Sequence, residues 1–182
     1  MILSTIVTFD WWFEKMLLSI RSPWGVRLFE GITFFGNPRT ITVFALFLLF
    51  FLFFSRRFRP YFSGSIIAFS GAAVSGFILK ELVARARPDS LIPALTQSGF
   101  SFPSGHATAA MVLYGFGAFI LCREYPERTT PVILLTAFGI VLIGFSRLYL
   151  GVHFPSDVIA GYALGGLWLL IGMRVVPYHS CT

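Results

Sequence analysis

Five apolar segments set the terms for this chain, because each approaches the ~20 helical residues needed to cross a hydrocarbon layer of ~30 Å. They run from about Pro38 to Phe54, Tyr61 to Val83, Ser104 to Cys122, Pro131 to Leu150 and Pro155 to Met173. The first is opened by Gly36-Asn37-Pro38, a turn followed by an N-cap and a proline at the first helical position. The second carries Ser63, Gly64, Ser70, Gly71, Ala72, Ser75 and Gly76, small residues that let helix backbones approach closely. The expected fold is all-α: an integral membrane helical bundle with five transmembrane helices. Hydrophobic residues make up 56% of the 182 positions and charged residues 12%. A soluble domain carries roughly 25% charge and, at this size, could not hide 22 phenylalanines. A soluble enzyme, a disordered chain and a disulfide scaffold are thereby excluded.

Residues 1–36 read differently. Asp10, Glu14, Lys15, Arg21 and Arg27 are interleaved with Trp11, Trp12, Phe13, Trp24 and Phe29. Tryptophan beside charge marks a bilayer interface, so this stretch is expected to be an amphipathic region of one or two helices lying on the membrane, with Trp11 and Trp12 as anchors. The alternative is a weakly apolar spanning helix, opposed by the cost of Asp10 and Glu14 at mid-bilayer. The whole chain, 1–182, is expected to be a single membrane-embedded domain with its transmembrane core at 37–175. Cys122 and Cys181 show neither metal spacing nor a disulfide framework.

The net charge of +6 does not point to nucleic acid, because the basic residues lie between apolar runs rather than on one polar face. Arg56, Arg57 and Arg59 fall in the first turn, Arg123 and Arg128 in the third, and Arg174 after the last span. With five spans these sites share one face, which the positive-inside rule makes cytoplasmic. The opposite face receives three clusters. Lys80 and Arg87-Pro88 are seven apart, a spacing that puts both cations on one side of a helix end. Phe102-Pro103-Ser104-Gly105-His106 opens a span, with Ser104 as N-cap and free backbone N–H groups facing an anion. Ser146-Arg147 precedes His153 and Asp157, which are four apart, so the carboxylate can fix one imidazole nitrogen and leave the other free. Three cations, a helix N-terminus and two histidines, one backed by a carboxylate, make a phosphate site with acid–base machinery. Arg85 reads as an unpaired interfacial cation or a contact to a second substrate phosphate, and Glu81 as its partner one helical turn away. His179 belongs to the expected cytoplasmic tail. No cluster offers the ligand cage of a catalytic metal, so no cofactor is expected.

These residues, in this order and spacing, resemble the three-part signature of the type 2 phosphatidic acid phosphatase family, which also includes vanadium-dependent haloperoxidases and glucose-6-phosphatase. Membrane members of that family typically have six spans against the five counted here, the difference lying in residues 1–36. The resemblance implies His153 as nucleophile, forming a phosphohistidine, with Asp157 orienting it. It implies His106 as the acid that protonates the leaving lipid oxygen and then activates water. Lys80, Arg87, Ser104, the Gly105 N–H and Arg147 would bind the phosphate oxygens. The implied function is a metal-independent phosphatase acting on a phosphomonoester or pyrophosphate of a membrane lipid. Phosphatidylglycerol phosphate, a polyprenyl pyrophosphate, phosphatidic acid and lipid A phosphate all fit. A lipid phosphotransferase and a catalytically silent scaffold are the alternatives. The expected partners are the substrate lipid and the bilayer, and the expected place is a bacterial inner membrane with the site facing outward. Oligomeric state leaves no mark in the sequence.

Overall fold

Local signals place the helix starts. The computed structural model describes residues 2–88 and 99–177, and among these the chain forms seven α-helices and no strand. They are α1 (Ile2–Ile20), α2 (Pro23–Phe34), α3 (Pro38–Phe54), α4 (Phe62–Val83), α5 (Gly105–Glu124), α6 (Thr129–Tyr149) and α7 (Pro155–Val175). Ser22 caps α2, its hydroxyl accepting from Gly25 N–H at 3.1 Å, and Asn37 caps α3, accepting from Arg39 N–H at 2.9 Å. A proline follows each cap, where its missing N–H costs nothing and its fixed φ suits the helix.

Five stretches are long and apolar enough to cross a membrane: 23–54, 59–83, 105–124, 126–149 and 155–175. The chain is a multi-pass membrane protein. The first stretch reaches back through α2, beyond the start expected at Pro38, because the turn at 35–37 interrupts the helix without interrupting the apolar run. Side chains such as Leu134, Leu135, Phe138 and Val141 of α6 point outward, as a lipid-facing surface requires.

The core sits where α4, α5 and α7 meet, with Ala68, Ala72, Val112, Phe116 and Ile120 at its centre. Small residues bring α4 and α7 together. A Cβ added at Gly172 would lie 2.5 Å from Gly64 O and 2.8 Å from Ala68 Cβ, so backbone meets backbone there. Gly172→Ala is therefore expected to force α4 and α7 apart and to destabilise the bundle by about 1–3 kcal/mol. Thermal unfolding in detergent would show it as a lowered midpoint, and an unchanged midpoint would contradict this packing.

Two ends result. At one, Arg57 Nε meets Glu124 Oε2 at 2.7 Å, Tyr61 donates to Glu124 Oε1 at 2.8 Å, and Arg123 donates to Pro177 O at 2.8 Å. The α3–α4 turn, the end of α5 and the end of α7 thus gather where the basic residues were expected to share a face. The other end holds the three signature clusters. Asp10 and Glu14 of α1 are buried there rather than solvated, packed where α1 meets α6 and α7.

Candidate active site

Each cluster reaches the site by a different backbone device. Lys80 lies in the last turn of α4, and its Nζ donates to Phe100 O at 2.9 Å and Pro103 O at 3.0 Å, which ties the segment ahead of α5 against α4. The helix stops at Val83, with Ala84 in the left-handed region at φ 45° and its N–H bonded to Lys80 O. Arg87 is therefore not on the helix, and the expected shared helical side for Lys80 and Arg87 is incorrect. Arg87 comes in from the segment after the helix, its Nε donating to Gly99 O at 3.0 Å and its Nη1 to Val152 O at 2.9 Å.

Ser104 stands at the N-cap of α5, but its hydroxyl makes no capping bond. Its carbonyl accepts from Thr108, while the buried Oγ has no hydrogen-bond partner among the described residues. The expected side-chain cap is thus corrected: the hydroxyl is left for another acceptor or donor. Gly105 opens α5, where backbone N–H groups lack intrahelical partners, and His106 follows, buried.

Arg147 lies in the last turn of α6 and is 2% exposed. Its Nη1 donates to Thr33 Oγ1 of α2 at 2.7 Å, while Nε and Nη2 are buried with no hydrogen-bond partner among the described residues. A buried charge is retained only with compensation, and these two guanidinium donors have the geometry to hold an anion. The chain then turns through Gly151, whose φ of 67° a β-carbon would strain, and delivers His153 just before α7.

His153 Nε2 lies 3.2 Å from Arg87 Nη1. An arginine can only donate, so Nε2 is the acceptor and the neutral ring carries its proton on Nδ1. That Nδ1 faces Asp157 Oδ2 at 3.5 Å, a charge contact longer than a formed hydrogen bond. Asp157 is fully buried and well held. Phe154 N–H donates to Oδ2 at 2.9 Å, which also caps α7, and Arg85 Nη1 donates to Oδ1 at 2.7 Å. Burial lowers the imidazole pKa of His153 to about 4, with Asp157 opposing and Arg87 and Arg147 adding to the fall. Arg147, His153, Arg87 and Lys80 all lie within electrostatic reach of His106, and Arg87 within that of Arg147 and Lys80. The structure thus brings together all eight residues singled out from the sequence.

The readings of Arg85 and Glu81 are corrected. Arg85 is neither unpaired nor set against Glu81, because it lies beyond the end of α4. It bridges Asp157 and Asp10, meeting Asp10 Oδ2 at 2.7 Å. Sequence reasoning missed Asp10, Ser156 and Thr33 as neighbours of the site, and missed that Arg85 is held by two carboxylates there. One signal was present: an acidic residue in an apolar N-terminal helix is costly enough to suggest a buried partner. Trp11 packs edge-on against Phe154 at 5.1 Å between ring centroids, while remaining partly exposed. Cys122 is a free thiol on α5. His179 and Cys181 lie outside the described residues. Among the described residues no three His, Cys, Asp or Glu side chains gather as metal ligands.

A groove of about 660 Å³ between α3, α4 and α5 is lined by Lys80, Pro103 and Gly105 of this site and, among its apolar walls, by Ile41, Phe77 and Val112.

The chain is similar to known proteins over most of its length. It is 33% identical over 157 residues to phosphatidylglycerophosphatase B of Bacillus subtilis, covering 84% of this chain and 75% of that protein. It is 36% identical over 124 residues to lipid A 1-phosphatase of Rhizobium etli, covering 63% of this chain and 48% of that protein. The crystal structure of the transmembrane PAP2-type phosphatidylglycerolphosphate phosphatase from Bacillus subtilis superposes with a TM-score of 0.83 at 31% identity, covering 93% of this chain and 85% of that one. The model of the PAP2 superfamily matches residues 62–181, from the start of α4 through all three clusters. The chain therefore belongs to the PAP2 superfamily.

Proposed function

We propose that this protein is a metal-independent lipid phosphate phosphatase whose nucleophile is His153. The observation that carries this reading is the setting of the two His153 ring nitrogens: Nε2 lies 3.2 Å from Arg87 Nη1 at the cationic cluster, and Nδ1 faces Asp157 Oδ2. The substrate phosphate takes the place beside Nε2, drawing Arg87, Arg147, Lys80, Ser104 Oγ and the Gly105 N–H onto its oxygens. Nε2 then attacks phosphorus, the P–N bond forms and the bond to the lipid oxygen breaks. Asp157 stabilises the cationic ring that results, as a carboxylate does for a catalytic imidazole. His106, protonated in the presence of the phosphate's negative charge, gives its proton to the leaving oxygen. It then takes a proton from water as that water attacks phosphorus and the P–N bond breaks. Phosphate leaves and both histidines return to their starting forms.

The groove supports a lipid as substrate, since its apolar walls begin at the residues that would hold the phosphate. A phosphomonoester or pyrophosphate of a membrane lipid fits, with its chain between α3, α4 and α5. The relatives named above act on phospholipid and lipid A phosphates, which suits this class. The basic residues gathered at the other end support a site on the outward face of a bacterial inner membrane.

The test is inorganic phosphate release by detergent-purified protein from phosphatidylglycerol phosphate, a polyprenyl pyrophosphate, phosphatidic acid and lipid A. Release without an added acceptor is expected, and a strict need for an acceptor would make the protein a phosphotransferase. Vanadate is expected to inhibit competitively, because it mimics phosphate in the same cradle, and EDTA is expected to have no effect. Activity lost to EDTA and restored by a divalent ion would overturn the metal-free mechanism.

The pH profile follows from His153. Its neutral form is the one that attacks, and with its pKa at about 4 that form prevails far below the ordinary imidazole value of ~6.5. The acid limb of kcat/KM is thus expected well below pH 6, and a limb at 6.5 would show His153 exposed to water in the working protein.

A further inference from the structure

We propose that α1 completes the catalytic apparatus: Asp10 fixes Arg85, and Arg85 fixes Asp157 against His153, so that Asp10 and Arg85 are positioning residues for the nucleophile. The proposal rests on the reading of His153 as nucleophile given above. Neither residue was placed in the phosphate cradle, and Asp10 lies outside the 62–181 stretch that the superfamily model matches.

The geometry is a continuous chain of charge-assisted bonds. Asp10 is fully buried, and so is Asp157. Arg85 stands between them, with Nη2 on Asp10 Oδ2 at 2.7 Å and Nη1 on Asp157 Oδ1 at 2.7 Å. Its Cζ lies over the Phe154 ring, 4.3 Å from the centroid. Ser156 closes the loop: its hydroxyl accepts from Arg85 Nη1 at 2.6 Å and donates to Asp10 Oδ2, and its N–H donates to Asp10 Oδ1 at 3.1 Å. Asp10 thereby also serves an unpaired backbone donor in the first turn of α7, the turn that carries Asp157.

A guanidinium held on both sides cannot turn away to solvent, so Asp157 keeps one orientation and shares its charge between Arg85 and His153. Without Arg85 that charge would fall more fully on the imidazole and raise its affinity for a proton. The groups that face His153 are Arg87 from the segment after α4, His106 from α5, Arg147 from α6 and Asp157 from α7. Of these only Asp157 is tied to α1. The substrate oxygens have their own donors, so loss of the clamp should act on kcat and on the pH limb while leaving KM nearly alone.

The experiment compares Arg85→Gln, Arg85→Lys, Asp10→Asn and the Asp10→Asn/Arg85→Gln double variant with wild type and His153→Ala. It measures phosphate release from phosphatidic acid in detergent micelles between pH 4 and 8. Arg85→Gln is expected to lower kcat about 10- to 100-fold, the usual scale for a group that supports a catalytic one. Its KM should stay within about threefold, and its acid limb should move to higher pH by about one unit. Asp10→Asn should lower kcat as well, and the double variant should be no worse than Arg85→Gln alone, because the two act through one path. Arg85→Lys, which keeps the charge, should bring the limb back while recovering only part of kcat; it and Asp10→Asn carry the test if Arg85→Gln does not fold. A limb that stays in place, losses that multiply in the double variant, or a rise in KM with kcat intact would overturn the proposal; the last would make Arg85 a substrate ligand. Full turnover in His153→Ala would overturn the nucleophile assignment itself, and the clamp with it. Loss of turnover there with unmoved Arg85 and Asp10 variants would overturn the clamp alone.

Discussion

His153→Ala is expected to reduce lipid phosphate turnover by on the order of 10⁴-fold or more, the scale seen when a covalent nucleophile is removed. The cause is chemical rather than structural. The imidazole is buried among Arg87, Arg147 and Asp157, with Nε2 set 3.2 Å from Arg87 Nη1. Alanine leaves the cations in place, so the variant should still bind vanadate or phosphate. Phosphate-release assays paired with vanadate binding by calorimetry check both halves. Residual turnover within about tenfold of wild type would remove His153 from the nucleophile's role.

His106→Ala should fail in a different manner. With a lipid alkoxide as leaving group the lost proton donor should cost about 10²- to 10⁴-fold, the range for general acid–base catalysis. With an aryl phosphate the leaving group needs no proton, so His153 can still attack. Water activation remains impaired, and the phosphoenzyme should accumulate as a burst that does not turn over. Rapid-quench kinetics with p-nitrophenyl phosphate would show that burst. Equal loss on both substrates with no burst would mean that His106 serves binding and not proton transfer.

The chain states much of this in advance, and the parts it withholds have physical causes. The start of α3 is legible because Asn37 and Pro38 leave a local trace that survives folding. The eight site residues are legible because the chemistry demands particular side chains at short spacings, and alternating spans return them to one end. The end of α4 is not legible. Nothing between Lys80 and Pro88 signals that Ala84 takes a left-handed conformation, so Arg85 and Arg87 look helical when they are not. The clamp is hidden for another reason. Asp10 and Arg85 are 75 residues apart, and Thr33 and Arg147 are 114 apart, so their pairing depends on how α1 and α2 dock on α6 and α7. No periodicity encodes such docking. Ser104 shows the converse: its type and place mark an N-cap, but the fold leaves its hydroxyl without a capping bond.

The covalent intermediate is the central claim, and rapid acid-free quenching of the purified protein with ³²P-labelled lipid phosphate tests it most directly. A protein-bound label that is stable to base, labile to acid and located by peptide mapping at His153 is the expected result, absent in His153→Ala and prolonged in His106→Ala with an aryl substrate. Label on His106 would reverse the two roles. Turnover that proceeds with inversion at phosphorus and without any bound label would contradict the phosphohistidine altogether.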